Sequence, residues 1–240
     1  MTTLLYLDDS YLRSFDATVV DVIDGAGVVL NQTAFYPGGG GQPVDSGSIG
    51  ISGRSIPVKG MKRLDGNIVH LLDEATEWPK VGEEVHGAID WDSRYRLMRT
   101  HTAMHVLCGS IFKDFGAQVT GGNMGPKTAR MDFELEDLSQ ERVEHIERRC
   151  NEIIAEDRPV TWRTLPRDEA FQIPDLIRTK INLLPEHIQE VRVVEIENLD
   201  IQADGGTHVR STGEIGGLRI VGTRSKGKSN KRLEIEITDE

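Results

Sequence analysis

The stretch HTAMH, residues 101–105, places His101 and His105 four positions apart. On a helix, side chains at that spacing point the same way and lie a few ångströms from each other. Two such imidazoles can meet one Zn²⁺ through bonds of about 2.0–2.1 Å. The plain alternative is a pair of core histidines satisfied by polar neighbours, because HxxxH also arises by chance. Zinc peptidases of the H-E-x-x-H type carry a glutamate general base after the first histidine. Here that position is Thr102, which argues against their mechanism. A second frame, ADGGTHV at 203–209, repeats the spacing with Asp204 and His208. Gly205 and Gly206 let the backbone turn tightly or approach a ligand closely. Two ligands from a helix and one or two from a remote loop would form a half-shell with an open position, as catalytic zinc needs.

Other stretches carry weaker signals. FYPGGGGQPVDSG, residues 35–47, has four consecutive glycines but lacks the Lys-Ser/Thr ending of a phosphate-binding loop, so nucleotide binding in that manner is disfavoured. It reads as a bent turn, or as a segment packing closely against RNA or another domain. Arg219, Arg224, Lys226, Lys228, Lys231 and Arg232 follow one another with no acidic residue between them, on a chain of net charge −11. Such a basic tip suits one particular polyanion, or is a solvated hairpin loop. Cys108 and Cys150 are too far apart for a CxxC site and fall on apolar helical faces, so they read as buried reduced thiols.

The elements that must position these residues follow from the hydropathy pattern. With 240 residues, 38% hydrophobic and 28% charged, the chain fits one large or two small globular domains. No apolar run approaches the roughly 18 residues of a membrane span. The stretch MTTLLYLDDSYL lacks the basic and long apolar regions of a signal peptide, so the expected compartment is the cytoplasm. The first ninety residues read as short strands, with turns at Gly25 and Gly27, and predict a small barrel or curled sheet. From DWDSRY onward the period changes. Arg94, Met98, His101, His105, Cys108, Phe112 and Phe115 form one helical stripe, with Asp92 or Ser93 as the cap and Gly116 as the stop. A strand in GPKTARMDFELED precedes a helix that presents Val143, Ile146, Cys150 and Ile153. Its start resembles a capping box at Asp137 and Gln140. PVTWRTL and VRVVEIENL read as strands, Pro174 and Pro185 break any long helix over 166–190, and two strands flank the basic turn. The expected class is α+β: a small β-barrel-like domain over 1–90, then an α+β domain over 91–240 with a mainly antiparallel sheet and helices.

FYPGGGGQPVDSG, DWDSRYRLMRTHTAMH, VTGGNM, DGGTHVRSTGEIG and KGKSNKRLEIEI occur in one order across almost the whole chain. Together they resemble the alanyl-tRNA editing proteins of the AlaX type, freestanding relatives of the editing domain of alanyl-tRNA synthetase. HxxxH alone is weak; followed by GGTHVxxTGEIG it is specific. The glycine-rich β domain resembles that of the medium-length class. The resemblance implies trans-editing: hydrolysis of the ester that joins a wrong amino acid, chiefly serine with glycine as a second candidate, to tRNA(Ala). It implies one Zn²⁺ held by His101, His105 and His208. The family's loop usually reads C-G-G-T-H, and this chain has Asp204 where the cysteine stands. A carboxylate binds zinc at about 2.0–2.2 Å, so Asp204 is either a harder fourth ligand or the holder of a bound water. Cys108 comes from the wrong segment to replace the thiolate. Such a metal can activate water, polarise the ester carbonyl or orient the amino group. Thr102, Thr207 and Asn123 are candidates for binding the seryl hydroxyl, and a polar pocket would reject alanine. Gln42, Arg224, Lys226, Lys228 and Lys231 are the expected tRNA contacts. Arg94 and Arg99 are additional candidates, read most simply as helix-surface salt bridges. The alternative function is a non-catalytic tRNA-binding module whose metal is structural or lost through Asp204.

Overall fold

The computed structural model describes residues 1–23, 26–73, 78–182 and 184–239, so the expected turn at Gly25 lies outside the described residues. Contacts divide the chain into Met1–Tyr95 and Arg96–Glu240. The first unit carries β1 (Thr3–Leu4), β2 (Ser14–Ile23), β3 (Gly27–Leu30), β4 (Gln32–Thr33), β5 (Gly47–Ile51), β6 (Arg54–Leu64), β7 (Asn67–Leu72) and β8 (Glu84–Ile89). Strands of period two build it: along β2, Phe15, Ala17 and Val19 are buried while Ser14, Asp16 and Val20 face out. Six strands close into an antiparallel barrel in the order β2-β3-β7-β6-β5-β8, and β8 returns to β2. Closure removes the free edges that a sheet of this size would otherwise expose. Phe15, Phe35, Ile49, Ile56, Val58 and Leu72 are among the residues that fill it. Gly87 is required by this filling, since a Cβ there would lie 2.3 Å from the Phe15 ring.

The glycine quartet is a bend. Gly38, Gly39, Gly40 and Gly41 all have positive φ, at 82°, 132°, 57° and 93°, where any other residue is strained. The Tyr36 hydroxyl donates to the Gly39 carbonyl at 2.9 Å, and Asp45 accepts from the Tyr36 N–H at 2.6 Å. Arg94 then holds Asp45. Its Nε donates to both carboxylate oxygens at 3.0 Å, Nη1 donates to the Ser10 carbonyl at 2.9 Å, and Nη2 donates to the Ala34 carbonyl at 2.7 Å. Arg94 is fully buried. The surface salt bridge read from the sequence is therefore corrected to an interior brace for the glycine bend.

The helix α1 (Trp91–Phe115) begins in the first unit, and the second continues from its Arg96 through β9 (Val119–Met124), β10 (Thr128–Phe133), α2 (Gln140–Ala155), β11 (Val160–Pro166), α3 (Arg167–Ala170), β12 (Glu190–Ile196), β13 (Asp200–Ala203), β14 (Gly217–Gly227) and β15 (Asn230–Thr238). Two antiparallel sheets form, ordered β14-β15-β10-β9 and β11-β12-β13. The fold is α+β with a closed six-stranded barrel. Among the described residues no helix is long and apolar enough to cross a membrane. The Asp90 carboxylate accepts from the Ser93 N–H at 3.3 Å and so caps α1, two positions ahead of the nearer expected residue, Asp92. Gly116, at φ 67°, stops α1 as expected, its N–H bonding the Phe112 carbonyl. Ser139, not Asp137, caps α2 by accepting from the Arg142 N–H. Thr100 to Ile111 are all buried, so α1 is covered all round rather than along one stripe. Small residues on its other sides, Ala103, Gly109 and Ser110 among them, admit neighbours there. Arg99 also departs from a simple surface pairing: it binds the Ile215 and Thr238 carbonyls as well as Asp239. β9 was not legible as a strand because its two glycines and an asparagine are poor strand formers; pairing with β10 imposes it.

Candidate metal centre

α1 offers His101 and His105 on one side, as the spacing predicts. The β12–β13 hairpin leads directly into the loop that brings Asp204 and His208 to the same point. One ligand atom from each of these four residues lies within 4.8 Å of every other. His101 Nε2 and His105 Nε2 stand 3.5 and 3.8 Å from Asp204 Oδ2, and His208 Nε2 stands 3.1 Å from Asp204 Oδ1. Tetrahedral bonds of about 2.1 Å would separate neighbouring donors by about 3.4 Å. The donor set thus fits one zinc-sized ion. Three of its members are buried, and Asp204 is half-buried.

Hydrogen bonds around the cluster decide which nitrogens are available. The Thr102 hydroxyl gives its one proton to the Met98 carbonyl at 3.0 Å. At His208 Nδ1, 3.2 Å away, it therefore accepts, and the ring's other nitrogen, Nε2, is turned to Asp204 Oδ1 at 3.1 Å. The same oxygen accepts from the Val209 N–H. His101 is held by a hydrogen bond to the Thr207 backbone. His105 Nδ1 lies 3.0 Å from Asp200 Oδ2. The loop folds around Asp204, whose Oδ1 accepts from the Gly206 N–H at 2.6 Å. Arg192 clamps it by donating to the Asp204 and Gly206 carbonyls at 3.2 and 3.0 Å.

Charge follows from these contacts. Burial pushes His101 down to about 4 and His208 well below the ordinary histidine range, against the pull of Asp204. Burial also opposes charge on His105, but Asp200 and Asp204 outweigh it and raise that ring to about 9. Burial would raise Asp204, yet His101, His105 and His208 hold its carboxyl well below the usual carboxylate range. The site is an anion among ring nitrogens, and one ring takes a proton when no other cation is present.

The other expected site residues are distributed more widely. Thr102 and Thr207 lie within the cluster and are fully buried. Asn123 is exposed on β9, whose Gly122 packs against Met104 of α1. Arg224, Lys226 and Lys228 are exposed on the β14–β15 hairpin. Lys231 is buried and donates to the Gly227 and Lys228 carbonyls. Gln42 is buried in the glycine bend, its backbone exchanging hydrogen bonds with Gly39. Asp200, Gln202, Arg178 and Arg192 were missed in the sequence. Asp200, Asp204 and His208 share a spacing of four, which was the available signal for the first.

Residues 191–234 match the family model described as "Threonyl and Alanyl tRNA synthetase second additional domain", and residues 11–93 match "tRNA synthetases class II (A)". The "Alanyl-tRNA editing protein AlaX-M" of Methanosarcina mazei is 42% identical, covering 100% of this chain and 98% of its own length. The protein of the same name from Saccharolobus solfataricus is 42% identical over 97% of this chain and 98% of its own. The "Alanine--tRNA ligase" of Pyrococcus abyssi is 41% identical over 92% of this chain, a region that makes up 24% of that ligase. Identity of this order from one end to the other shows that the chain belongs to the alanyl-tRNA editing protein AlaX-M family.

Proposed function

We propose that this protein is a zinc-dependent trans-editing hydrolase that removes serine, and secondarily glycine, from mischarged tRNA(Ala). The observation that carries this reading is the convergence of His101, His105, Asp204 and His208 on one point. These four residues would hold the ion. Bound there, zinc would supply Lewis-acid and water-activating chemistry, enough for an aminoacyl ester that is already labile. The chain's own part is preparation. Thr102, hydrogen-bonded to His208 Nδ1, would position that ligand and, with Thr207 and Asn123, is a proposed contact for the seryl hydroxyl. Asp204 Oδ1 is engaged with the Gly206 N–H, which leaves Oδ2 to face the two α1 histidines.

Thr207, beside His208, and Asn123, on the strand that packs against α1, are the other proposed contacts for a seryl hydroxyl. A polar group unpaired against the methyl of alanine would make the correct product a poor substrate. Arg224, Lys226 and Lys228 are the proposed phosphate contacts, Lys231 bracing their turn from within, and Gln42 a contact from the glycine bend. Residues from 91 onward would form the editing domain and 1–90 its β partner. A tRNA substrate places this chemistry in the cytoplasm.

Purified protein should contain about one zinc per chain. It should deacylate Ser-tRNA(Ala) and, more slowly, Gly-tRNA(Ala), sparing Ala-tRNA(Ala), and lose this activity to a chelator. Zinc-loaded protein that binds tRNA(Ala) yet leaves every ester intact would mark a binding module instead.

A further inference from the structure

We propose that Asp200 is a positioning residue that fixes which nitrogen of His105 faces the ion, an inference that rests on the metal-site reading above. Asp200 opens β13 and is buried. Its Oδ2 lies 3.0 Å from His105 Nδ1. A carboxylate offers only acceptors, so Nδ1 must donate, and Nε2, on the side of Asp204, is the nitrogen left to offer a lone pair once an ion takes the place of its proton.

Three further contacts keep the carboxylate from swinging away. Arg178 Nε donates to Oδ1 at 3.1 Å, and Gln202 Nε2 donates to Oδ2 at 2.6 Å. The guanidinium lies 3.8 Å above the Phe112 ring of α1, which locks the arginine in turn. The third contact is made by a missing side chain. Gly109 sits inside a 25-residue helix, where glycine is disfavoured. A Cβ there would stand 2.9 Å from both Asp200 Cβ and Leu199 Cγ. Glycine at 109 thus admits the β12–β13 turn close enough for Asp200 to reach a histidine one helical turn away. The contact with His105, the glycine that permits it, and the second donor on the same oxygen are accounted for by a role in aiming the ring. Groups that hold a metal-ligating histidine by its other nitrogen typically govern affinity by 10–100-fold.

The test compares the full-length protein with Asp200→Asn, using zinc alone as the probe. Chelator competition is expected to show zinc bound about 10–100-fold more weakly by the variant. Nitrogen-15 spectra of histidine-labelled, zinc-loaded protein give a readout that a purely structural role would not move. Wild type should show His105 protonated at Nδ1, metal-bound at Nε2 and slow to exchange. In the variant that proton should exchange faster, while His208, held by Thr102, stays unchanged. A folded variant with wild-type zinc affinity overturns the proposal. So does a wild-type spectrum with His105 bound through Nδ1, a result that does not depend on the variant folding. If the wild type takes up no zinc at all, the metal-site reading falls first and the inference with it.

Discussion

Two buried polar clusters hang from the same helix, and they are built on opposite terms. At Arg94, each of the three guanidinium nitrogens is matched inside the chain by Asp45, Ser10 or Ala34. At His101 and His105 the surplus is of acceptors: two further groups, Asp204 and His208, bring more lone pairs to the same point. Asp200 and Asp204 draw charge onto His105 there, and Arg192 and Arg178 hold the loop and Asp200 from outside the donor set. A closed cluster of charge is a structural brace, because nothing from outside can improve it. An open one, held by Thr102 and Asp200 on its far side, is a donor set that could take up a metal ion. The kind of imbalance, more than the depth of burial, separates a brace from a site.

The sharpest test removes the brace. Arg94→Met leaves the Asp45 carboxylate buried without its partner, a loss of about 3–5 kcal/mol. Denaturant unfolding should show it, while the zinc content of the folded protein stays near wild type. A stability change under about 1 kcal/mol would erase the distinction between the two clusters. The reciprocal variant, His101→Ala, should leave the Asp45 network intact and empty the site. Deacylation of Ser-tRNA(Ala) should fall about 10³-fold, which is about 4 kcal/mol of barrier. Wild-type turnover in that variant would mean the histidines are not the chemical centre.

A fourth buried histidine sharpens the contrast, because it belongs to the closed kind. His70 bonds the Val28 carbonyl through Nδ1 at 3.3 Å and Thr33 through Nε2 at 2.8 Å, with the Phe35 ring beside it. Burial pushes it from 6.5 down to about 4, against the Val28 carbonyl, and no carboxylate answers as Asp200 does for His105. The unfolded chain therefore takes up this proton at a pH where the folded barrel cannot. Its stability is intact above pH 6.5 and is lost as pH falls toward 4. At about 1.4 kcal/mol per pH unit the loss comes to about 3 kcal/mol. Unfolding free energies measured from pH 7 to 4 should fall more steeply for wild type than for His70→Gln. Parallel curves would show that the ring is protonated without penalty.

The two clusters also differed in how far the sequence disclosed them. HTAMH and DGGTH announced the four members of the candidate metal cluster because each frame has a short, fixed spacing set by local backbone geometry. Arg94 was visible as part of the α1 stripe, but its partner was not. Asp45 lies 49 positions away, and a helical period cannot say whether an arginine meets water or a carboxylate. Asp200 was hidden for a related reason. Its purpose depends on Gly109, and a glycine inside a helix looks like a defect until the turn that it admits is in place. The β regions were legible as a class from period-two alternation, whereas closure of the barrel depended on β8 pairing with β2 across some seventy residues.

The smallest effect concerns the residue that departs from the family's usual loop. Asp204→Cys exchanges one anionic ligand for another, so the charge that neutralises the ion is kept. What changes is reach and softness. Asp204 presents two oxygens and divides them, Oδ1 to the Gly206 N–H and His208 Nε2 and Oδ2 toward the α1 histidines. A thiolate has one atom, so it can ligate but cannot also fold the loop, and a modest loss of about 1 kcal/mol in stability is expected. Zinc should remain at one per chain, deacylation should stay within about tenfold, and cadmium should gain on zinc because sulfur is the softer donor. Asp204→Ala removes the anion and should lose most of the bound metal. If alanine retained zinc as well as cysteine does, Asp204 would be a loop-folding residue alone, and the open cluster would reduce to its three histidines.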